Sequence, residues 1–109
     1  MPYAATFTAE ALTRTDAHAT CGPLVLEFGT NECSWCRAAQ PYIRAAFEQV
    51  GAVAHVKIED GPGRPLGRSF RVKLWPTLVF LRDGTEVVRL VRPQNTADIA
   101  DALARIAAV

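Results

Sequence analysis

Much of what would commit this chain to a membrane, a nucleic acid or a cross-linked scaffold is scarce in it. Twelve lysines and arginines stand against eleven aspartates and glutamates, a net charge of +1. No field of one sign is left to hold nucleic acid or an anionic bilayer. The densest basic stretch, Arg64, Arg68, Arg71 and Lys73, is interleaved with apolar residues and reads as a solvated helix face. No apolar run reaches the roughly 18 residues that a membrane span needs. Met1-Pro2-Tyr3-Ala4-Ala5-Thr6 lacks a basic region followed by an apolar one, so no secretory signal is expected. Three cysteines is a low and odd number, where a small secreted scaffold carries an even set of bridges. The count suits a reducing compartment, the cytoplasm, with one working pair and a spare thiol, Cys21. The two histidines, His18 and His55, read as surface or strand residues.

What is present is ordinary globular composition: half of the 109 residues are hydrophobic. That is enough for a single domain, 1–109, with one core. No repeat or linker breaks it, and a monomer is expected. Its most informative feature is Cys33-Ser34-Trp35-Cys36. Two cysteines three positions apart can close and reopen a small disulfide at the start of a helix. The flanks lift this above a chance spacing. Leu24-Val25-Leu26-Glu27-Phe28 reads as a buried strand just before it, and Trp75-Pro76-Thr77 opens a second strand further on. That layout suits dithiol/disulfide exchange. The other readings of the pair are a zinc half-site or two inert thiols. Zinc needs four ligands, and only Cys21, His18 and His55 are on offer, at irregular spacing. No metal or organic cofactor is expected.

Along the chain, Thr8 to Ala17 reads as a first helix with Thr8 as cap and Glu10 in its first turn. From Cys33, apolar residues at Ala39, Tyr42, Ile43, Ala46, Phe47 and Val50 mark a helix with one buried stripe. Pro41 would kink it and Gly51 would stop it. Val53 to Ile58 is a strand, and Pro65 starts a short helix turning Leu66 and Phe70 inward. Thr77–Leu81 and Glu86–Val91 are strands joined by the Asp83-Gly84 hairpin. Thr96 caps a last helix whose Ile99, Leu103 and Ile106 face the core. The tight hairpin forces one antiparallel pair and the helical crossovers favour parallel ones. The expected α/β fold is a central mixed sheet with helices on both faces.

On Leu24–Phe28, Cys33-Ser34-Trp35-Cys36, Pro41, Lys57, Trp75-Pro76-Thr77 and the Asp83-Gly84 hairpin, the chain resembles the thioredoxin family over nearly its whole length. The resemblance implies the thioredoxin fold and a protein-disulfide oxidoreductase. Cys33, at a helix N-terminus where unpaired N–H groups favour a thiolate, is the expected nucleophile. Cys36, one turn inward, would resolve the mixed disulfide. Ser34 sits in the active-site loop, where it could donate a hydrogen bond to the Cys33 sulfur. Trp35 is either a contact for a partner or packed on the surface.

Glu27 interrupts an apolar strand, which is costly unless the carboxyl is paired or neutral. The resemblance makes it the proton acceptor for Cys36; the alternative is a strand-end charge reaching solvent. Lys57 then neighbours that acid, or else is a strand lysine whose ammonium reaches water. Pro76 would be cis, exposing the Trp75 backbone for pairing with an extended substrate, with Trp75, Pro76 and Thr77 as the substrate-binding motif. The bland alternative for Pro76 is a strand-start proline. Partners would be disulfide-bearing proteins, with a thioredoxin reductase or glutathione as electron donor.

Three positions depart from the family. Gly29 and Glu32 stand where its common reductases usually have Trp, and Arg92-Pro93 stands near its Gly-Ala loop. All three fall on surfaces that meet partners. A more oxidising exchange or isomerase role, a glutathione-linked activity, and a non-catalytic module using Trp35, Trp75 and Arg92 stay open beside reduction.

Overall fold

The computed structural model describes residues 3–9, 12–51 and 53–107. Four strands, β1 (Pro23–Gly29), β2 (Ala54–Glu59), β3 (Thr77–Arg82) and β4 (Thr85–Val91), form one sheet in the order β2-β1-β3-β4. β1 runs parallel to β2 and antiparallel to β3, and β3 pairs antiparallel with β4. The mixed sheet expected from the connections is therefore present. Its helices are α1 (Arg14–Ala19), α2 (Ser34–Val50), α3 (Pro65–Ser69) and α4 (Thr96–Ala107).

The central strands have apolar side chains on both faces, so each face needs a cover. On one, Val25, Leu78 and Phe80 pack against Ile43 and Phe47 of α2 and Ile99, Leu103 and Ile106 of α4. On the other, Leu24, Leu26, Phe28 and Val79 pack with Ala17 of α1, Leu66 of α3 and Phe70. Alternation along β1 puts Glu27 on the same face as Val25, under α2.

The local expectations hold with three adjustments. The first helix starts later than its composition suggests. Thr13 is its cap, in a reciprocal box with Asp16, while Thr8 bridges Ile58 beside β2. Glu10, expected in its first turn, lies outside the described residues. The last helix is capped by Asn95, whose Oδ1 accepts the Asp98 N–H at 2.8 Å, rather than by Thr96. α2 runs through Pro41 as one helix of 17 residues, with Cys33 as N-cap and Gly51 as C-cap. The β3–β4 hairpin turns on Asp83 (φ 50°) and Gly84 (φ 79°) as its sequence predicts. A Cβ at Gly84 would strike the His18 backbone, so the turn both needs positive φ and lies against α1.

Candidate active site

Cys33 stands at the N-terminus of α2 because β1 ends at Gly29 and a short turn follows. Its Sγ accepts the Cys36 N–H at 3.4 Å, so the sulfur itself caps the helix. Donation from a helix-terminal N–H and the positive end of the helix dipole both favour negative charge on that sulfur. Cys33 is half-buried and Cys36 fully buried, so the two thiols differ in their access to solvent. Burial pushes the Cys36 thiol up to about 12, helped by its contact with Cys33 and the nearby Glu27 charge, so it keeps its proton at neutral pH. For that thiol to act as a nucleophile, a base would have to take its proton.

Glu27 is completely buried, as the apolar strand implied, and it is paired rather than reaching solvent. The strand register explains the pairing. Val25 lies opposite His55 and Glu27 opposite Lys57, so the pleat turns His55 and Lys57 to the face that carries Glu27. His55 Nε2 lies 2.8 Å from Glu27 Oε1, with both side chains fully enclosed. The Ala4 N–H donates to His55 Nδ1 at 2.8 Å, which leaves the ring proton on Nε2 to donate to Glu27. The ring is stacked on Phe47, 4.4 Å between centroids.

From α2, Gln40 Nε2 donates to Glu27 Oε2 and to the Cys36 carbonyl, each at 2.8 Å. Gln40 Oε1 accepts from Lys57 Nζ at 2.6 Å and from the Tyr3 hydroxyl at 2.8 Å. Lys57 itself lies 3.9 Å from Glu27 Oε2, so it is the acid's outer partner. Burial lowers its pKa, and the Glu27 and Cys36 charges offset part of that. The buried side-chain nitrogen and oxygen atoms of the described residues all have partners.

His55 and Gln40 were not expected here. His55, read as a surface or strand residue, is the acid's closest side-chain partner. Its signal was its position two residues before Lys57, on the same strand face. Gln40's signal was its place one helical turn after Cys36.

At the rim, Trp35 is 46% exposed and Ser34 is also exposed. The Trp75–Pro76 bond is cis, as the resemblance implied. The Trp75 indole N–H donates to Asp60 Oδ2 at 2.9 Å. Its carbonyl, part of the backbone expected to pair with a substrate, accepts from Arg92 Nε at 2.8 Å. The Arg92 guanidinium also lies over the Trp35 ring, 4.3 Å from its centroid. Thr77 is buried and its hydroxyl donates to the Leu74 carbonyl, so it shapes the loop rather than lining the groove.

At Gly29 the departure from the family has a steric reason. A Cβ there would collide with the Cys36 sulfur and the Phe7 ring, and Phe7 fills that space. Asn31 fastens this segment by a reciprocal pair of hydrogen bonds with the Phe7 backbone. Among the described residues no three His, Cys, Asp or Glu side chains gather as metal ligands, and no helix is long and apolar enough to cross a membrane.

The Thioredoxin family model matches residues 6–105. The chain belongs to the thioredoxin family. Thioredoxin 2 from Pseudomonas aeruginosa PAO1, in its reduced form, is 48% identical, with 94% of this chain and 95% of that one covered and a TM-score of 0.85. Thioredoxin-2 of Saccharomyces cerevisiae is 31% identical over 81 residues, 74% of this chain and 77% of its own. A thioredoxin H-type of Fagopyrum esculentum is 28% identical over 68 residues, and the match spans 59% of that relative's length. Family membership and these thioredoxin neighbours support thiol–disulfide oxidoreductase function and the thioredoxin fold.

Proposed function

We propose that this chain reduces protein disulfides through Cys33 and Cys36. The observation that carries the reading is the asymmetry of the pair. One sulfur caps a helix and is reachable, while the other is buried and protonated, on a residue whose backbone carbonyl shares the Gln40 amide with a buried carboxyl group. The Cys33 thiolate attacks one sulfur of the substrate disulfide. A Cys33–substrate bond forms, the substrate S–S bond breaks, and the first substrate thiolate leaves. Cys36 then gives its proton to Glu27 and attacks Cys33 Sγ. The Cys33–Cys36 disulfide forms and the second substrate thiolate leaves. Two electrons pass from the dithiol to the substrate. His55 and Gln40 position the Glu27 carboxyl throughout.

Regeneration needs a dithiol or glutathione-linked donor. The odd cysteine count and the exposed Cys21 fit a reducing, cytoplasmic compartment. The single domain carries the whole reaction and needs no cofactor.

Two variants test the reading. Cys33→Ser is expected to abolish turnover of an insulin-type protein disulfide. Cys36→Ser is expected to stall as a covalent mixed disulfide visible by intact mass. Sustained multiple turnover by Cys33→Ser would refute the assignment. A couple potential near about −270 mV supports the reducing direction, and one between about −180 and −120 mV would make the chain an oxidant or isomerase.

A further inference from the structure

The rim of the dithiol carries charges that the interior does not use. Two small clefts lie at this rim, one bordered by Trp35 and the other by Trp75. One, of about 290 Å³, is lined by Trp35, Ala38, Tyr42, Arg92 and Gln94. The other, of about 280 Å³, holds Asp60, Arg64, Arg68 and Lys73 beside the Trp75 ring. Arg64, Arg68 and Lys73, which alternate with apolar residues in the sequence, are thus brought to one cleft.

Their charges are unequally spent. Arg64 is paired with Glu59 at 2.9 Å. Asp60, the one carboxylate of the second cleft, accepts the Trp75 indole N–H. The Arg68 and Lys73 side chains make no hydrogen bond or ion pair among the described residues. Arg92 is held twice, by the Trp35 ring under its plane and the Trp75 carbonyl on Nε. Its two terminal nitrogens donate to nothing among the described residues.

A guanidinium fixed in this way is preorganised. Its planar fork keeps its orientation without losing further rotamer freedom when an acceptor arrives, and a carboxylate matches it. The same arginine already occupies one acceptor position of the Trp75 carbonyl, so a substrate segment that docks here meets the guanidinium beside the backbone. Glu32, exposed beside Cys33, is the one opposing charge in the turn before the dithiol.

We infer that the substrate disulfide of this chain lies in an acidic protein segment, with a carboxylate flanking one half-cystine bound by Arg92 and further carboxylates met by Arg68 and Lys73. The inference rests on the proposed reduction of protein disulfides and names the class of substrate that site takes.

The test uses the full, pre-reduced chain and three synthetic peptide disulfides of one length. They differ only in having Glu, Gln or Lys beside the half-cystines. 2-Hydroxyethyl disulfide, which is uncharged and has no peptide backbone, serves as reference. The second-order rate constant of dithiol oxidation is followed by mass. The Glu peptide is expected to react about fivefold faster than the Gln peptide at low salt, the scale of one or two exposed ion pairs. The Lys peptide is expected to be slowest. The Glu/Gln ratio is expected to fall below about twofold at ~0.5 M salt.

Arg92→Gln is expected to bring that ratio close to one, and Arg68→Gln with Lys73→Gln to reduce it in part. Equal rates for the Glu and Gln peptides at low salt, or a ratio that Arg92→Gln leaves unchanged, would overturn the inference. If 2-hydroxyethyl disulfide is reduced and the peptides are not discriminated, the acidic-substrate inference fails alone. If no disulfide is reduced, the proposed function fails and takes the inference with it.

Discussion

The two sides of the dithiol are built on opposite plans. Beneath Cys36, the carboxyl of Glu27, the imidazole of His55, the amide of Gln40 and the ammonium of Lys57 form a closed set in which each group's partner is fixed. Around Cys33, Trp35 stands 46% exposed, Ser34 is in solvent, and the guanidinium of Arg92 has donors to spare. A buried polar group without a partner costs about 1–3 kcal/mol, so the interior tolerates no slack. An exposed one is compensated by water, so the rim is free to vary. This contrast sets a fixed interior beneath Cys36 against a variable surface around Cys33.

The largest effect should come from the enclosed side. Glu27→Ala removes the acceptor that His55 and Gln40 both face, and is expected to cost about 3 kcal/mol of stability. Urea unfolding measures it, and a loss under about 1 kcal/mol would mean the four groups are not coupled. The same variant should accumulate the mixed disulfide, because Cys36 would then lack the acceptor proposed for its proton.

His55→Ala comes next. It strips one of the two donors on Glu27, leaves the Ala4 N–H unpaired, and empties space against Phe47. About 2 kcal/mol is expected to be lost in the same unfolding experiment. A variant as stable as the parent would show that Gln40 and Lys57 suffice.

The buried thiol gives a pH signature of known sign. The folded Cys36 pKa lies near 12, against 9.0 for an ordinary thiol. Between those values the folded chain binds the proton and the unfolded chain does not. The contribution is whole below about pH 9 and is lost as the pH rises toward 12. Stability of the reduced chain should fall across that range, and the Cys36→Ala chain should lack this part of the fall. Lys57 works in the opposite sense, since its folded pKa is lowered, so the fall in the reduced chain is the net of the two groups.

The smallest stability effect is expected at the rim. Trp35→Ala should change stability by no more than about 0.5 kcal/mol. It should nevertheless slow reduction of a peptide disulfide several-fold, by removing the surface on which Arg92 lies. A Trp35→Ala chain that unfolds like Glu27→Ala would erase the distinction between the two sides.

Much of this was legible beforehand because it depends on short-range pattern. The CxxC motif, the apolar β1 strand, the Asp83-Gly84 turn and the amphipathic α2 and α4 each follow from neighbours within a few residues. Glu27 stood out because a charge in an apolar strand demands a partner. Which partner it took was another matter. His55 is 28 positions away, and only the parallel register of β1 with β2 sets it beside the acid. Thr8 and Thr13 are equally good caps locally, and the Thr8 bridge to Ile58 decides between them, so α1 starts later than local sequence predicts.

The sequence by itself therefore determined the family, the order of elements and the pair of sulfurs, since these are written in local propensity and spacing. Only the tertiary structure decided that Glu27 answers to His55 and Gln40, that Phe7 fills the space beside Gly29, and that Arg92 bonds the Trp75 carbonyl. Each of those depends on strand register or loop packing, where the contacting residues are far apart in the chain and their pairing is settled by the shape of the whole.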